Sequence, residues 1–247
     1  MQRYFIHLAY NGKNYFGWQR QPKDISVQEV LENDISVLLK EPISIVGAGR
    51  TDTGVHARNF YAHFDTSNDL NEQDCQHLAY KLNAFLPKDI VVFSIFKVDS
   101  QMHARFSATS RTYRYYVSTQ KNPFRQDMAY SVLQALNVEQ MNECCQKLLQ
   151  YNDFTSFSKV HTQTNNNLCT ITFAQWQRLP DNILCFEITA NRFLRNMVRA
   201  IVGTLLQVGK GKLSVDDFCR IIEQRNRNEA GESAPAHALF LEEISYQ

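Results

Sequence analysis

The strongest constraint on the fold is an order of hydrophobic periodicities that runs twice along the chain. Arg3 to Tyr10 alternates, with Tyr4, Ile6, Leu8 and Tyr10 on one side, the period of a half-buried strand. Ser26 to Lys40 switches to the helical period. Ser26 is placed to cap it, Glu29 completes the capping-box spacing, and Val27, Val30, Leu31, Ile35 and Leu38 form the apolar stripe. Ile43 to Val46 and Arg58 to Asp65 read as strands, the second alternating through Phe60, Ala62 and Phe64. Glu72 to Phe85 is helical, with Cys75, Leu78, Ala79, Leu82 and Phe85 in phase and Pro87 beyond its end. Ile90 to Val98 closes the set as a strand. The order β-α-β-β-α-β is the split βαβ pattern of ferredoxin-like folds.

The second half nearly repeats it. Arg111 to Ser118 is a tyrosine-rich strand, and Val138 to Tyr151 is helical with Met141, Cys145, Leu148 and Leu149 inward. Leu168 to Arg178 and Ile183 to Thr189 form a hairpin around Pro180-Asp181-Asn182. Arg192 to Val208 reads as one helix, Ser214 to Gln224 as another with Ser214 and Asp217 as its capping pair, and Leu239 to Tyr246 as a final strand. The expected fold is therefore α+β: two tandem ferredoxin-like halves with antiparallel or mixed sheets flanking a basic cleft. Residues 1–104 form one domain and 105–247 the other. Lys159 to Asn167 and Arg225 to Pro235 read as polar, mobile loops.

Net charge is only +1 over 247 residues, yet its distribution is uneven. Between Asp99 and Asp127 lie Arg105, Arg111, Arg114, Lys121 and Arg125 with no acid among them; between Ala190 and Val215 lie Arg192, Arg195, Arg199, Lys210 and Lys212, again with no acid. Such segments suit an anionic partner. The six cysteines contain no C-x-x-C pair and sit in apolar patterns, so they read as reduced core thiols, with neither a disulfide framework nor a metal site. MQRYFIHLAY lacks the apolar core of a signal peptide, and Ala200 to Gly209, the longest uncharged apolar stretch, is far short of the ~20 residues of a membrane span. The expectation is a cytoplasmic protein.

Three segments carry possible chemistry. The first is GAGRTDTGVHA, Gly47 to Ala57. Its glycines allow tight turns and close approach of a ligand, and its one acid, Asp52, follows Arg50. No G-K-[ST] follows, which excludes a nucleotide-binding P-loop. Asp52 is either a turn residue capping backbone amides or a carboxylate nucleophile or base kept ionised by a guanidinium. In the second segment, Arg192, Arg195 and Arg199 fall at i, i+3 and i+7, one face of the expected helix, suited to phosphate or carboxylate. The third is the strand from Arg111, where Arg111, Tyr113 and Tyr115 alternate with Thr112, Arg114 and Tyr116. Arginine interleaved with aromatics can stack bases and neutralise phosphates; equally, it can be core tyrosine with solvated arginine. From residues alone, a non-catalytic RNA-binding module and a small-molecule enzyme with an arginine clamp both remain open.

Taken together, the segments resemble the tRNA pseudouridine synthase A family. YNGKNYFGWQRQP is similar to its N-terminal signature, and GAGRTDTGVHA to its catalytic loop, usually GRTDAGVHA. MHARFSATSRTYRYYV, FLRNMVRAIVGTLL and APAHALFLEEISY resemble its later blocks in order. Thr53 stands where alanine is usual, Ala238 where glycine is common, and Phe60 where a more polar residue is expected. The resemblance implies isomerisation of uridine to pseudouridine at positions 38, 39 and 40 of the tRNA anticodon arm, without a cofactor, by a homodimer. It places the nucleophile at Asp52, an arginine partner at Arg199 with Arg50 nearer in sequence, and the platform for the extruded uracil at Tyr113. Arg20, Arg58, Arg105, Arg111, Arg192 and Arg195 are its candidate tRNA contacts.

Overall fold

A computed structural model describes residues 1–159 and 166–246. The fold is α+β, with nine strands and five α-helices among the described residues. The chain divides into two compact units, residues 1–109 with 241–247, and residues 110–240.

The first unit contains β1 (Gln2–Tyr10), α1 (Val27–Leu39), β2 (Ile45–Gly47), β3 (His56–Thr66), α2 (Glu72–Phe85) and β4 (Ile90–Val98), the expected order. Its strands lie β4-β1-β3, with β2 also paired to β3, and all these pairings are antiparallel. The period-2 pattern is visible in the register. Tyr4 faces Phe64, Ile6 faces Ala62 and Leu8 faces Phe60, and all six side chains are buried. Leu31 and Ile35 of α1 and Leu78 and Leu82 of α2 are buried with them. The Ser26 side chain accepts from the Glu29 N–H, as its spacing predicts, while the Glu29 carboxylate lies 3.5 Å from Arg20. α2 carries a capping box formed by Asn71 and Asp74.

The second unit contains most of β5 (Ala108–Ser118), β6 (Tyr130–Ser131), α3 (Val138–Leu148), β7 (Ile171–Leu179), β8 (Ile183–Ala190), α4 (Met197–Gly209) and α5 (Val215–Glu223). β8 lies antiparallel between β5 and β7, and the short β6 runs parallel to β5. Asp181 and Asn182 both have positive φ, and Ile183 N–H bonds to Pro180 O, the geometry of a tight hairpin turn. Ser214 and Asp217 form the expected capping box of α5. β9 (Leu239–Tyr246) closes the chain, and its residues from Leu241 onward belong to the first unit.

Three expectations are corrected. The helix expected from Arg192 begins only at Met197, because Asn196 stands in the left-handed region at φ 67° and the right-handed helix cannot run back through it. Arg192 and Arg195 therefore lie on the segment before α4, and the expected three-arginine face does not exist. α4 is also no surface helix: eleven of its thirteen residues are buried. Second, α3 ends at Leu148, and Leu149, expected inward, is exposed. Third, Arg225 to Pro235 is fastened to α4 rather than loose. Gly231 N–H bonds to Thr204 Oγ1, Ala234 N–H to Arg199 O, and Asn196 Nδ2 to Ser233 Oγ. Of the other polar stretch, residues 160–165 lie outside the described residues.

Candidate active site

The loop between β2 and β3 holds Asp52, and the segment after β1 holds the loop. Asp52 O accepts from Val55 N–H at 3.1 Å, with Gly54 at φ 79° two residues after Asp52. This turn needs glycine at its third position and leaves its second free, which is where the exposed Thr53 stands. Gly54 N–H reaches Tyr15 O at 3.3 Å, and Ala48 N–H reaches Tyr61 O at 2.8 Å. Thr51 is buried, its hydroxyl 2.9 Å from Tyr10 Oη. His56 is buried too, and its Nδ1 accepts from Gly12 N–H at 3.1 Å.

Glycines make this closeness possible. A Cβ on Gly12 would collide with Val55 O, one on Gly17 with Thr51 O, and one on Gly47 with the Trp18 indole. Around Gly49, by contrast, a Cβ would meet nothing within 4 Å. Trp18 is 1% exposed and stacks on Phe60 with centroids 4.2 Å apart. Phe60, the expected polar position, is thus core beneath the loop. Asp52 itself is half-buried, whereas Arg50 and Arg58 are exposed.

The remaining arginines of this unit have visible partners. Arg58 Nη1 lies 3.1 Å from Glu242 Oε1. Arg20 Nη1 lies 3.3 Å from Glu32 Oε2 and its other terminal nitrogen 3.5 Å from Glu29, which offsets much of its charge. The exposed Arg105 guanidinium sits 5.5 Å above the Phe106 ring centre.

In the second unit, Tyr113 stands on β5 opposite Ile188, its half-exposed ring edge-on to Phe193 with centroids 5.2 Å apart. Arg111 Nη1 donates to Asn191 O at 2.9 Å. Arg192 Nη1 is 3.5 Å from Asn166 Oδ1. Arg195 is exposed, and its carbonyl accepts from Lys159 N–H. Arg199, in the first turn of α4, donates from Nε to Ala234 O at 2.8 Å. Arg111 and Tyr113 of β5 thus reach Asn191 and Phe193, where β8 gives way to the segment leading to α4.

Sequence reasoning missed the supports: Tyr10, Gly12, Tyr15 and Gly17 beneath the loop, and Gln28 and Glu32 behind it. The signal available was the pairing of two glycine-bearing segments, 12–17 and 47–54, each needing close backbone approach. Buried Gln28 and Glu32 left no such signal, because a helical stripe is drawn from apolar residue types.

Comparison with known proteins places this chain of two α+β units in a class of RNA-modifying isomerases. The family model described as tRNA pseudouridine synthase matches residues 6–107 and 144–247. Over 246 residues the chain is 53% identical to tRNA pseudouridine synthase A of Parabacteroides distasonis, covering 100% of this chain and 96% of that one. It is 51% identical over 246 residues to the protein of that name from Bacteroides fragilis, covering 100% and 97%. With its counterpart in Bacillus subtilis it shares 40% identity over 243 residues, 97% of each chain. The chain belongs to the tRNA pseudouridine synthase family and is an isomerase acting on uridine in tRNA.

Proposed function

We propose that this enzyme converts uridine to pseudouridine at positions 38, 39 and 40 of the tRNA anticodon arm, with Asp52 as the nucleophilic carboxylate. The observation that carries this reading is the fixed backbone around Asp52: the turn to Val55, the bonds to Tyr10, Tyr15 and Tyr61, and the open space at Gly49. A carboxylate on so constrained a loop meets the reacting carbon in a single geometry, which lowers the barrier through orientation. The N1–C1′ bond breaks, the uracil turns, and C5 bonds to C1′; C5 loses its proton to water and N1 gains one. Atoms balance without oxidant or donor, so the reaction requires no cofactor. Asp52 offsets the positive charge that develops at C1′ as the base departs.

In this reading both units are ferredoxin-like halves, supported in the first by its β-α-β-β-α-β element order and by the antiparallel β4-β1-β3 pairing with β2 on β3, and their arginines face a basic cleft. Tyr113 packs against the extruded uracil and Arg199 holds the Asp52 carboxylate charged. Extrusion costs a few kcal/mol, which RNA contacts must offset. Arg50, Arg58, Arg105, Arg111, Arg192 and Arg195 supply those contacts; Arg20 contributes less, its charge being shared with Glu29 and Glu32. The enzyme acts as a homodimer in the cytoplasm. Among the described residues no helix is long and apolar enough to cross a membrane.

Tritium release from 5-tritiated uridine in an anticodon-arm tRNA tests the assignment. Asp52→Asn is expected to keep the fold and tRNA affinity while release drops to background. Release by that variant at a rate near wild type excludes Asp52 as nucleophile.

A further inference from the structure

The edge of β2 that is not paired to β3 is closed by two side chains of α1. Gln28 and Glu32 stand four residues apart on one face of that helix, 8% and 7% exposed. Glu32 Oε1 accepts from Ile45 N–H at 2.9 Å and from Gln28 Nε2 at 2.9 Å. Gln28 Nε2 also donates to Ile45 O at 2.9 Å. Together the pair meets both backbone groups of Ile45, as a neighbouring strand would. Their other atoms turn to the segment after β1: Gln28 Oε1 accepts from Gln19 Nε2 at 2.7 Å and Arg20 N–H at 3.0 Å, while Glu32 Oε2 faces Arg20.

One buried network therefore grips the two segments that bound the Asp52 loop. Ile45 leads through Gly47 into the loop, and Gln19 and Arg20 follow Trp18, whose indole covers Gly47. We propose that Gln28 and Glu32 are positioning residues for Asp52, setting the register of β2 against the Trp18–Arg20 segment so that the loop leaves Gly47 in one direction. This rests on the assignment of Asp52 as nucleophile. A buried carboxylate is expensive unless fully hydrogen-bonded, and a leucine at 32 would suit a stripe chosen for stability alone. Here the carboxylate satisfies a strand edge and an arginine at once.

The test uses Glu32→Ala, Glu32→Gln and Gln28→Ala in the full chain, with the core variant Leu82→Ala as a control for general loss of stability. Two quantities are read: the single-turnover rate at saturating tRNA on protein folded at the assay temperature, and amide exchange across residues 45–55. Misplacing a reacting group by a fraction of an ångström to an ångström costs on the order of tenfold to a hundredfold. Glu32→Ala is expected to lose rate within that range, keep its tRNA Kd within about threefold, and exchange faster at Ile45 and Ala48. Glu32→Gln keeps an oxygen for Ile45 and Gln28 and is expected to recover most of the rate. Leu82→Ala is expected to lower Tm with the rate per folded molecule unchanged. Should Glu32→Ala fail to fold, Gln28→Ala is expected to give the same split between rate and Kd, less strongly. A wild-type rate with wild-type exchange at 45–55 in the folded variants overturns the proposal, as does a loss confined to Kd. A slowed Glu32→Ala beside an active Asp52→Asn instead overturns the role of Asp52; the exchange data, which need no activity, still judge the grip on the loop.

Discussion

The indole of Trp18 occupies the space that a side chain on Gly47 would need. The ring stacks on Phe60 and is buried, so it has nowhere to retreat. Gly47→Ala should cost about 1–3 kcal/mol, as overpacking does in a close-packed interior. Because Gly47 is the hinge into the Asp52 loop, the rate of pseudouridine formation should fall further than the stability loss alone explains. Urea unfolding together with single-turnover tritium release measures both; a stable variant with a normal rate contradicts the expectation.

Gly203 gives an opposite sign to the one helix propensity suggests. Alanine in a helix interior ordinarily gains about 1 kcal/mol over glycine. A Cβ on Gly203, however, would run into the Glu232 carbonyl. The residues 225–235 would be pushed off α4, straining the bonds of Ala234 to Arg199. Gly203→Ala is therefore expected to destabilise by about 1–3 kcal/mol. Chemical denaturation decides, and any gain in stability refutes it.

Tyr113 offers a separation of ring from hydroxyl. Its ring lies edge-on to Phe193, and phenylalanine at 113 preserves that contact. Stacking of a base on an aromatic ring contributes about 1–3 kcal/mol. Tyr113→Phe should retain activity to within a few-fold, whereas Tyr113→Ala should lose roughly tenfold or more on the same principle. Equal losses in single-turnover assays would assign the role to the hydroxyl.

His63 makes the first unit sensitive to acid. The ring is 4% exposed, and burial, aided by Arg3 and His103, pushes its pKa down from 6.5 to about 4. His103 shifts downward as well, chiefly through burial. Neutral His63 accepts from Ala104 N–H through Nδ1, which an imidazolium cannot do. Between pH 6.5 and 4 the unfolded chain binds the proton and the folded one does not, so stability falls as pH falls across that window. For His63 the loss amounts to about 3 kcal/mol by pH 4. Asp65, held low by its hydrogen bonds to Arg3, adds its loss only at lower pH, on passing below the ordinary carboxylate range. Thermal melts of wild type and His63→Gln between pH 7 and 4 measure the difference, and the variant should show the shallower slope.

Much of the architecture was legible because its signals were local. α2 and β4 run over the residues their periods predict, and the Ser26 and Ser214 caps sit where their spacing puts them. The Arg192–Arg199 segment failed for a reason of backbone conformation. Its apolar phase persists through the buried Leu194, but the left-handed Asn196 interrupts the helix, and side-chain periodicity carries no record of φ. Asp52 was legible as the lone acid of a glycine loop. Its supports were not, since Tyr10 acts through one hydrogen bond to Thr51 across a long gap in sequence, and Gln28 and Glu32 through a polar network that an apolar stripe does not record. Among the departures from the family pattern, Thr53 falls at an unconstrained turn position, and Phe60 and Ala238 are buried. All three are compatible with the loop and core they occupy.

The assignment of residues 241–246 to the first unit has a consequence for synthesis. β3 bears Arg58 and Asn59, whose partners are the carboxylate and carbonyl of Glu242. Tyr246 supplies the hydroxyl that meets Ala104 O and a ring against Phe5. On the ribosome all of residues 110–240 must be made between the first of these groups and the last, an interval of roughly ten seconds at ordinary elongation rates. During that interval the β3 edge that receives Glu242 lacks its partner strand, so the unit that carries Asp52 is completed only when residues 241–246 emerge.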